Sequence, residues 1–252
     1  MDILNYNLTY PNKWHIIKFS KELSSNYMEA GDLSQQTVEE YLESISTLEE
    51  MEGSPVKTSS LAMVLEVSSA SVSEMLQRLS EKGVVNYTPY GGVSLTEKGW
   101  QLALGLTRRH RLWEVFLNRH LGIGWENVFS EACKLEHNTS DFVAEKLAQF
   151  LGNPTTCPHG SPIPEVGQQP PKMPGIPLAD LDVGWKAKVV RITNERNKKL
   201  LQYLTELGLI PGAEMEVFEK ASFDGTLTVK VNDSVSAIGP EVASFFIVEP
   251  LS

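Results

Sequence analysis

The segment Ser68–Leu95 reads SSASVSEMLQRLSEKGVVNYTPYGGVSL. Its first half places Val72, Met75, Leu76 and Leu79 at three- and four-residue spacing, the pattern of a helix with one apolar face. Small hydroxyl residues open that helix at Ser68, Ser69 and Ser71, and Gly83 ends it in the position where helices favour a left-handed residue. Val84-Val85-Asn86-Tyr87 and Val93-Ser94-Leu95 then flank a turn at Pro89-Tyr90-Gly91-Gly92, which reads as a hairpin. A short helix over 56–66 precedes the segment. A periodic helix over Thr37–Met51 comes before that, with Val38, Tyr41, Leu42, Ile45 and Leu48 on one face and Ser34 or Thr37 as its cap. Thr96 and Glu97 start a long helix that runs to about Leu121, broken by Gly122 and Gly124. Two short helices, a hairpin and a flanking helix make a winged helix-turn-helix.

In that fold the helix opened by Ser68 is the recognition helix. Ser68, Ser69, Ala70, Ser71 and Ser73 would face DNA, with Ala70 able to meet a thymine methyl. Lys57, Arg78 and the wing tip at Tyr90 would hold phosphates. The alternative is a helix-hairpin unit used for packing alone.

Outward from this segment, two more helices are expected over about 126–137 and 141–151. Eight of the 14 prolines then fall between Gly152 and Pro177, a stretch that cannot hold a helix and reads as an irregular linker. Beyond it, strands are expected at Trp185–Ile192, Glu214–Lys220, Thr226–Val231, Ser236–Ile238 and Phe245–Val248, with one helix over Asn197–Leu207. That is a small SH3-like barrel. The fold class is mainly α with small β: a winged helix-turn-helix over 33–101, a helical dimerisation and metal-binding domain over 102–152, a linker over 153–178 and the SH3-like domain over 179–252. Residues 1–32 are an N-terminal extension of unassigned role, with Met28 an alternative start.

The 252 residues carry a net charge of -10, five His and two Cys. No apolar run is long enough to span a membrane, and no basic patch followed by an apolar core marks a secretory signal. Two cysteines make no disulfide framework, so a reducing cytoplasm is the expected compartment. Between Leu33 and Trp100 there are ten acids against four Lys or Arg. That balance predicts weak nonspecific DNA affinity at physiological salt.

Ligand-type side chains recur at helical spacing. Cys133, Glu136 and His137 share a face at i, i+3 and i+4; His110 and Glu114 lie four apart; Glu40 and Glu43 share a face; Cys157-Pro158-His159 lies in the linker. Thiolate, imidazole and carboxylate together suit a first-row divalent ion. Taken one at a time, the same residues also read as a solvated acidic face, a surface pair and a small buried thiol. No H-E-x-x-H motif and no nucleophile with a positioned base is present, so an enzyme is not expected.

Glu39-Glu40-Tyr41-Leu42, Val72-Ser73-Glu74-Met75, Arg109-His110-Arg111-Leu112, Glu131–His137 and Gly160-Ser161-Pro162-Ile163-Pro164, in this order, resemble the diphtheria-toxin-repressor family of iron- or manganese-dependent transcriptional repressors. The last domain resembles the SH3-like FeoA module that many members carry. The resemblance implies a homodimer on a double-stranded DNA operator, Fe2+ or Mn2+ as co-repressor at two sites per subunit, and control of metal-uptake genes, with no membrane partner and no small-molecule substrate. It implies a primary site of Glu40, Cys133, Glu136 and His137, with Glu43 beside it. A second site would take His110 and Glu114, completed by Cys157 and His159, and His110 is also able to join the first. A further ligand would come from the SH3-like domain, with Glu195 as a guess. Iron regulators of the family carry Met where this chain has Glu40, and manganese regulators carry an acid where it has Cys133, so the chain is a hybrid. Phe129 stands where classical iron regulators have a ligand His. The competing readings are a metal-independent winged-helix regulator sensing another small ligand, a metalloenzyme and a metal-delivery module.

Overall fold

The computed structural model describes residues 34–168 and 175–251; the N-terminal extension lies outside the described residues. These form two compact units divided within the proline-rich stretch, near its end. In the first unit the helices are α1 (Gln35–Glu52), α2 (Thr58–Val64), α3 (Ser69–Glu81), α4 (Glu97–Arg119), α5 (Trp125–Glu136) and α6 (Asp141–Phe150), with the hairpin strands β1 (Val85–Thr88) and β2 (Gly92–Leu95) between α3 and α4.

Local chemistry sets the helix starts. Ser34, Ser68, Thr96 and Ser140 each accept a backbone N–H three residues on, from Thr37, Ser71, Gly99 and Val143. Each such cap is worth about 0.5–2 kcal/mol relative to Ala. Ser34 is therefore the cap of α1, and the helix starts at Gln35, two residues before Thr37. α2 is shorter than the sequence pattern predicts, because Val56 is extended and bridges Val93 of the wing. The hairpin pairs Val85 with Leu95 and Thr88 with Gly92. Its tip turns at Tyr90, which has φ 63° and is fully exposed.

Leu42, Ile45 and Leu48 of α1 are fully buried, as are Leu61 of α2, Leu76 and Leu79 of α3 and Val93 of the wing. α4 is shared. It packs against α1 and the wing on one side and against α5 and α6 on the other. The winged region and the helical region lie in one compact unit, and one 23-residue helix serves both. Gly99 lies at the tightest point of this junction: a Cβ there would fall 2.0 Å from the Val84 carbonyl oxygen.

The start of the proline-rich stretch is folded. Leu112 and Val115 of α4, Ala144 and Ala148 of α6, and Leu151, Cys157 and Ile163 form one apolar cluster. Thr156 and Pro162 make a β-bridge, and the Cys157 N–H donates to Ser161 O at 2.9 Å. Arg111 donates to the carbonyl oxygen of Pro162, and Arg108 to that of Pro164 at 2.9 Å. Two guanidiniums of α4 thereby clasp the backbone of a loop that has no regular structure of its own.

In the second unit the chain forms β3 (Ile176–Pro177), a 3-10 turn (Leu178–Asp180), β4 (Lys186–Ile192), α7 (Lys198–Glu206), β5 (Glu214–Lys220), β6 (Leu227–Val231), β7 (Ser234–Ile238), α8 (Pro240–Ala243) and β8 (Phe246–Leu251). The strands make one antiparallel sheet in the order β3-β8-β4-β5-β6-β7. Leu178, Val189, Leu201, Val217, Val229 and Phe246 are fully buried in its core. Among the described residues this unit has six strands rather than the about five expected, and a one-turn helix besides α7. The extra strand is two residues long and contains a proline, so it leaves no alternation to read.

Candidate metal centre

α4 and α5 bring most of the expected ligand residues together. His110 and Glu114 are one turn apart on α4, and both are buried. Cys133 and Glu136 are on α5, and His137 caps its C-terminus. His110 donates from Nδ1 to Glu136 Oε2 at 2.6 Å, and Cys133 Sγ is 4.0 Å from the same nitrogen. One ligand atom from each of His110, Cys133 and Glu136 lies within 4.8 Å of the others. His137 adjoins this group, with Nε2 3.3 Å from Glu136 Oε1.

A second group is built from Glu114, Cys157 and His159, again within 4.8 Å of one another. His159 Nδ1 is 3.1 Å from Glu114 Oε1 and 3.9 Å from Cys157 Sγ. The other face of the His110 ring, at Nε2, is 3.4 Å from Glu114 Oε1. His110 therefore stands between the two groups, one nitrogen toward each. Glu195 belongs to the second unit, in the segment between β4 and α7.

Glu40 and Glu43 of α1 are half-buried, and neither falls within either group. Glu40 accepts from Gln36 Nε2 at 3.0 Å. The residue that α1 presses most closely on the ligands is Glu39, whose Oε2 accepts from His137 Nδ1 at 2.7 Å and whose Oε1 accepts from Arg109 Nη2 at 2.7 Å. Sequence spacing marks Glu39 only as a neighbour of Glu40. Phe129, at the position of the missing ligand His, packs its ring against His110 at 4.6 Å.

The electrostatics follow from burying so many titratable groups. Burial pushes the Cys133 thiol and the Glu40 carboxyl up, the first opposed by His110 and the second by Gln36 and His137. Burial works against charging His110, yet the Glu136 and Glu114 carboxylates raise its pKa well above the imidazole range. Burial likewise opposes ionising Glu114, and His110 with His159 overrides it and holds that carboxyl far below the carboxylate range. His110 Nε2 and both Glu114 oxygens lack a hydrogen-bond donor or acceptor in suitable geometry although all are buried. Buried polar atoms in that condition cost several kcal/mol unless a cation compensates. Two thiols, three imidazoles and two carboxylates fit a first-row divalent ion.

The expected DNA face is separate. Lys57, Ser68, Ser69, Ala70, Ser71 and Tyr90 are exposed, and Ser73 and Arg78 are half-buried. The Ser68 and Ser71 hydroxyls bond one another at 2.8 Å, and the Ser73 hydroxyl turns back to the Ser69 carbonyl at 2.9 Å. The exposed apolar side chains Met63 and Val67 flank the start of α3.

Known proteins are similar to this chain in sequence and fold. Residues 32–93 match the iron dependent repressor N-terminal DNA binding domain, and residues 96–165 match the iron dependent repressor metal binding and dimerisation domain. The iron-dependent repressor IdeR of Mycobacterium tuberculosis is 34% identical over 213 residues, 79% of this chain and 91% of the relative. The chain belongs to the iron-dependent repressor family. Residues 176–250 match the FeoA domain, which places the family's accessory module on the six-stranded sheet. Among solved structures, a manganese-dependent transcriptional repressor in complex with manganese superposes with a TM-score of 0.77 at 33% identity, over 85% of this chain and 100% of that one. ScaR with bound Cd2+ superposes with a TM-score of 0.72 at 30% identity, over 84% and 98%. This iron-dependent repressor family member thus has relatives named for iron and for manganese.

Proposed function

We propose that this protein is a homodimeric transcriptional repressor that binds Fe2+ or Mn2+ as co-repressor, recognises a DNA operator through α3 and the wing, and controls genes of metal uptake. The observation that carries the reading is the pair of buried ligand groups meeting at His110, in the same compact unit as the winged helix. Cys133, Glu136, His137 and Glu40 would hold one ion, with Glu43 beside them. Glu114, Cys157 and His159 would hold another, with His110 available to either. A bound divalent ion supplies positive charge against this carboxylate cluster.

The chain's own residues do the rest. Glu40 and Glu43 approach from α1, and Cys133 and Glu136 from α5, with His110 and Glu114 on α4 between them. Neutralising these carboxylates favours the arrangement in which α1 stays close to α4 and α5. α1 forms the floor under α2 and the wing, so its position sets where α3 points. In a dimer, two α3 helices held at one spacing match two major-groove half-sites, and operator affinity rises as that geometry becomes the populated one. The thiolate at Cys133 favours iron, and the carboxylates favour manganese.

The test is operator binding by fluorescence anisotropy across a panel of divalent ions, run anaerobically for Fe2+. Tight binding with Fe2+ or Mn2+ that is lost with chelator is expected. Equal affinity with ion and with chelator overturns the reading in favour of a metal-independent regulator.

A further inference from the structure

We infer that Glu39 is the positioning residue of the metal centre: it fixes the orientation and tautomer of His137 while standing outside the ligand set itself. The inference rests on the metal-site reading above. Glu39 is a buried carboxylate on the inner face of α1. Its Oε2 accepts the Nδ1–H of His137 at 2.7 Å. That bond places the proton of the neutral ring on Nδ1 and leaves the lone pair on Nε2, the nitrogen beside Glu136.

Glu39 is unsuited to ligate. Its Oε1 already accepts from Arg109 Nη2 at 2.7 Å and from Gln35 Nε2 at 3.0 Å. A guanidinium at that distance repels a second cation from the same carboxylate. Glu40, one residue on, accepts only from the neutral amide of Gln36 among its resolved side-chain bonds. Adjacent acids on one helix thus divide the work: Glu40 is free to meet an ion, and Glu39 is committed to the imidazole.

Arg109 completes the support. It is buried, and its Nη1 donates to Asp141 at 3.1 Å, at the start of α6. The chain Asp141–Arg109–Glu39–His137 therefore runs from α6 through α4 and α1 to the C-terminal cap of α5. His137 lies past the last turn of its helix, where the backbone alone constrains a side chain least. Outer groups that orient a metal-bound imidazole typically change metal affinity by roughly 10- to 100-fold when removed.

The experiment compares wild type with Glu39→Gln in the full-length chain, using Mn2+ as the probe. Mn2+ affinity is read by calorimetry, and the His137 tautomer by 15N-edited NMR of the metal-free protein at a pH where the ring is neutral. The expected result is a wild-type His137 protonated at Nδ1, and a variant that still unfolds cooperatively but at a lower temperature, since Arg109 loses its charged partner, with a mixed tautomer and roughly 10- to 100-fold weaker Mn2+ binding. Wild-type affinity in the variant overturns the inference. So does a wild-type His137 protonated at Nε2, a measurement that needs no variant to fold. A wild-type chain that binds no Mn2+, Fe2+ or other divalent ion overturns the metal-site reading itself, and this inference with it.

Discussion

His159 donates its Nε2–H to the carbonyl oxygen of Trp125 at 2.8 Å, which turns Nδ1 toward Glu114 Oε1, 3.1 Å away. A backbone carbonyl at the start of α5 thus orients an imidazole carried by an irregular loop. The same Glu114 oxygen is approached from the other side by His110 Nε2, at 3.4 Å.

Glu114→Gln keeps the shape of that carboxylate and removes its charge. The expected outcome is loss of one of two bound ions per chain, with the other retained through Cys133, Glu136 and His137. Metal stoichiometry by elemental analysis of the dialysed protein checks it. Unchanged stoichiometry would count against Glu114 as a ligand.

Glu136→Gln touches the residue that contacts both His110 and His137. Metal-dependent operator binding should vanish in this variant while its far-ultraviolet circular dichroism stays that of the wild type. Gel shift with saturating Mn2+ is the measurement.

Cys133→Glu replaces a soft ligand with a hard one. The ion giving half-maximal operator binding at the lower concentration should move from iron toward manganese. A variant with the wild-type ion preference would sink the role given to the thiolate.

The metal-free protein should be most stable at mildly acidic pH. Glu39 and Glu114 have carboxyl pKa values held below the ordinary 4.5, by their imidazole neighbours and, for Glu39, by Gln35 and Arg109, against the opposing effect of burial. Their contribution is present above about pH 4.5 and is lost as pH falls through the lowered values. His110 and His137 are raised above the ordinary 6.5 by Glu136, Glu114 and Glu39, again against burial. Their contribution is complete below about pH 6.5 and is lost as pH climbs through the raised values. Urea midpoints measured with chelator from about pH 5 to pH 8 should therefore fall toward the alkaline end. A divalent ion replaces the histidine protons and should recover the loss there most strongly.

Gly99→Ala tests the joint between the winged helix and α4. The added methyl would meet the Val84 carbonyl oxygen at 2.0 Å, a contact only backbone movement relieves. Destabilisation of about 1–3 kcal/mol is expected, the usual range for forcing a methyl into a packed site. Denaturant unfolding reads it, with metal stoichiometry unaffected.

Much of the fold is legible in the chain because its signals are local. Ser68 caps α3 through a bond to a residue three positions on, and Gly83 ends the helix with φ 69°; both are decided within one turn. The same holds for the spacing of Cys133, Glu136 and His137 on α5. What spacing cannot carry is the packing of one helix on another. Whether His110 faces the first ligand group or the second depends on the angle between α4 and α5, and the structure gives one ring nitrogen to each. Glu39 and Glu40 are indistinguishable as neighbouring acids until Arg109, 70 residues away in the chain, is seen against one of them. The start of the proline-rich stretch reads as a linker because nothing in its composition reveals that Arg108 and Arg111 hold its carbonyls from α4.

The acidity of the winged region has a kinetic consequence. With four cations against ten acids over residues 33–100, a repressor of this kind has little grip on random sequence at cellular salt, since that grip comes from displaced counterions. Its search is then expected to run mostly through free solution rather than by sliding along DNA. The pool able to sample the ion is then nearly the whole population, so occupancy at an operator tracks ion concentration without a reservoir of genome-bound copies to buffer the response.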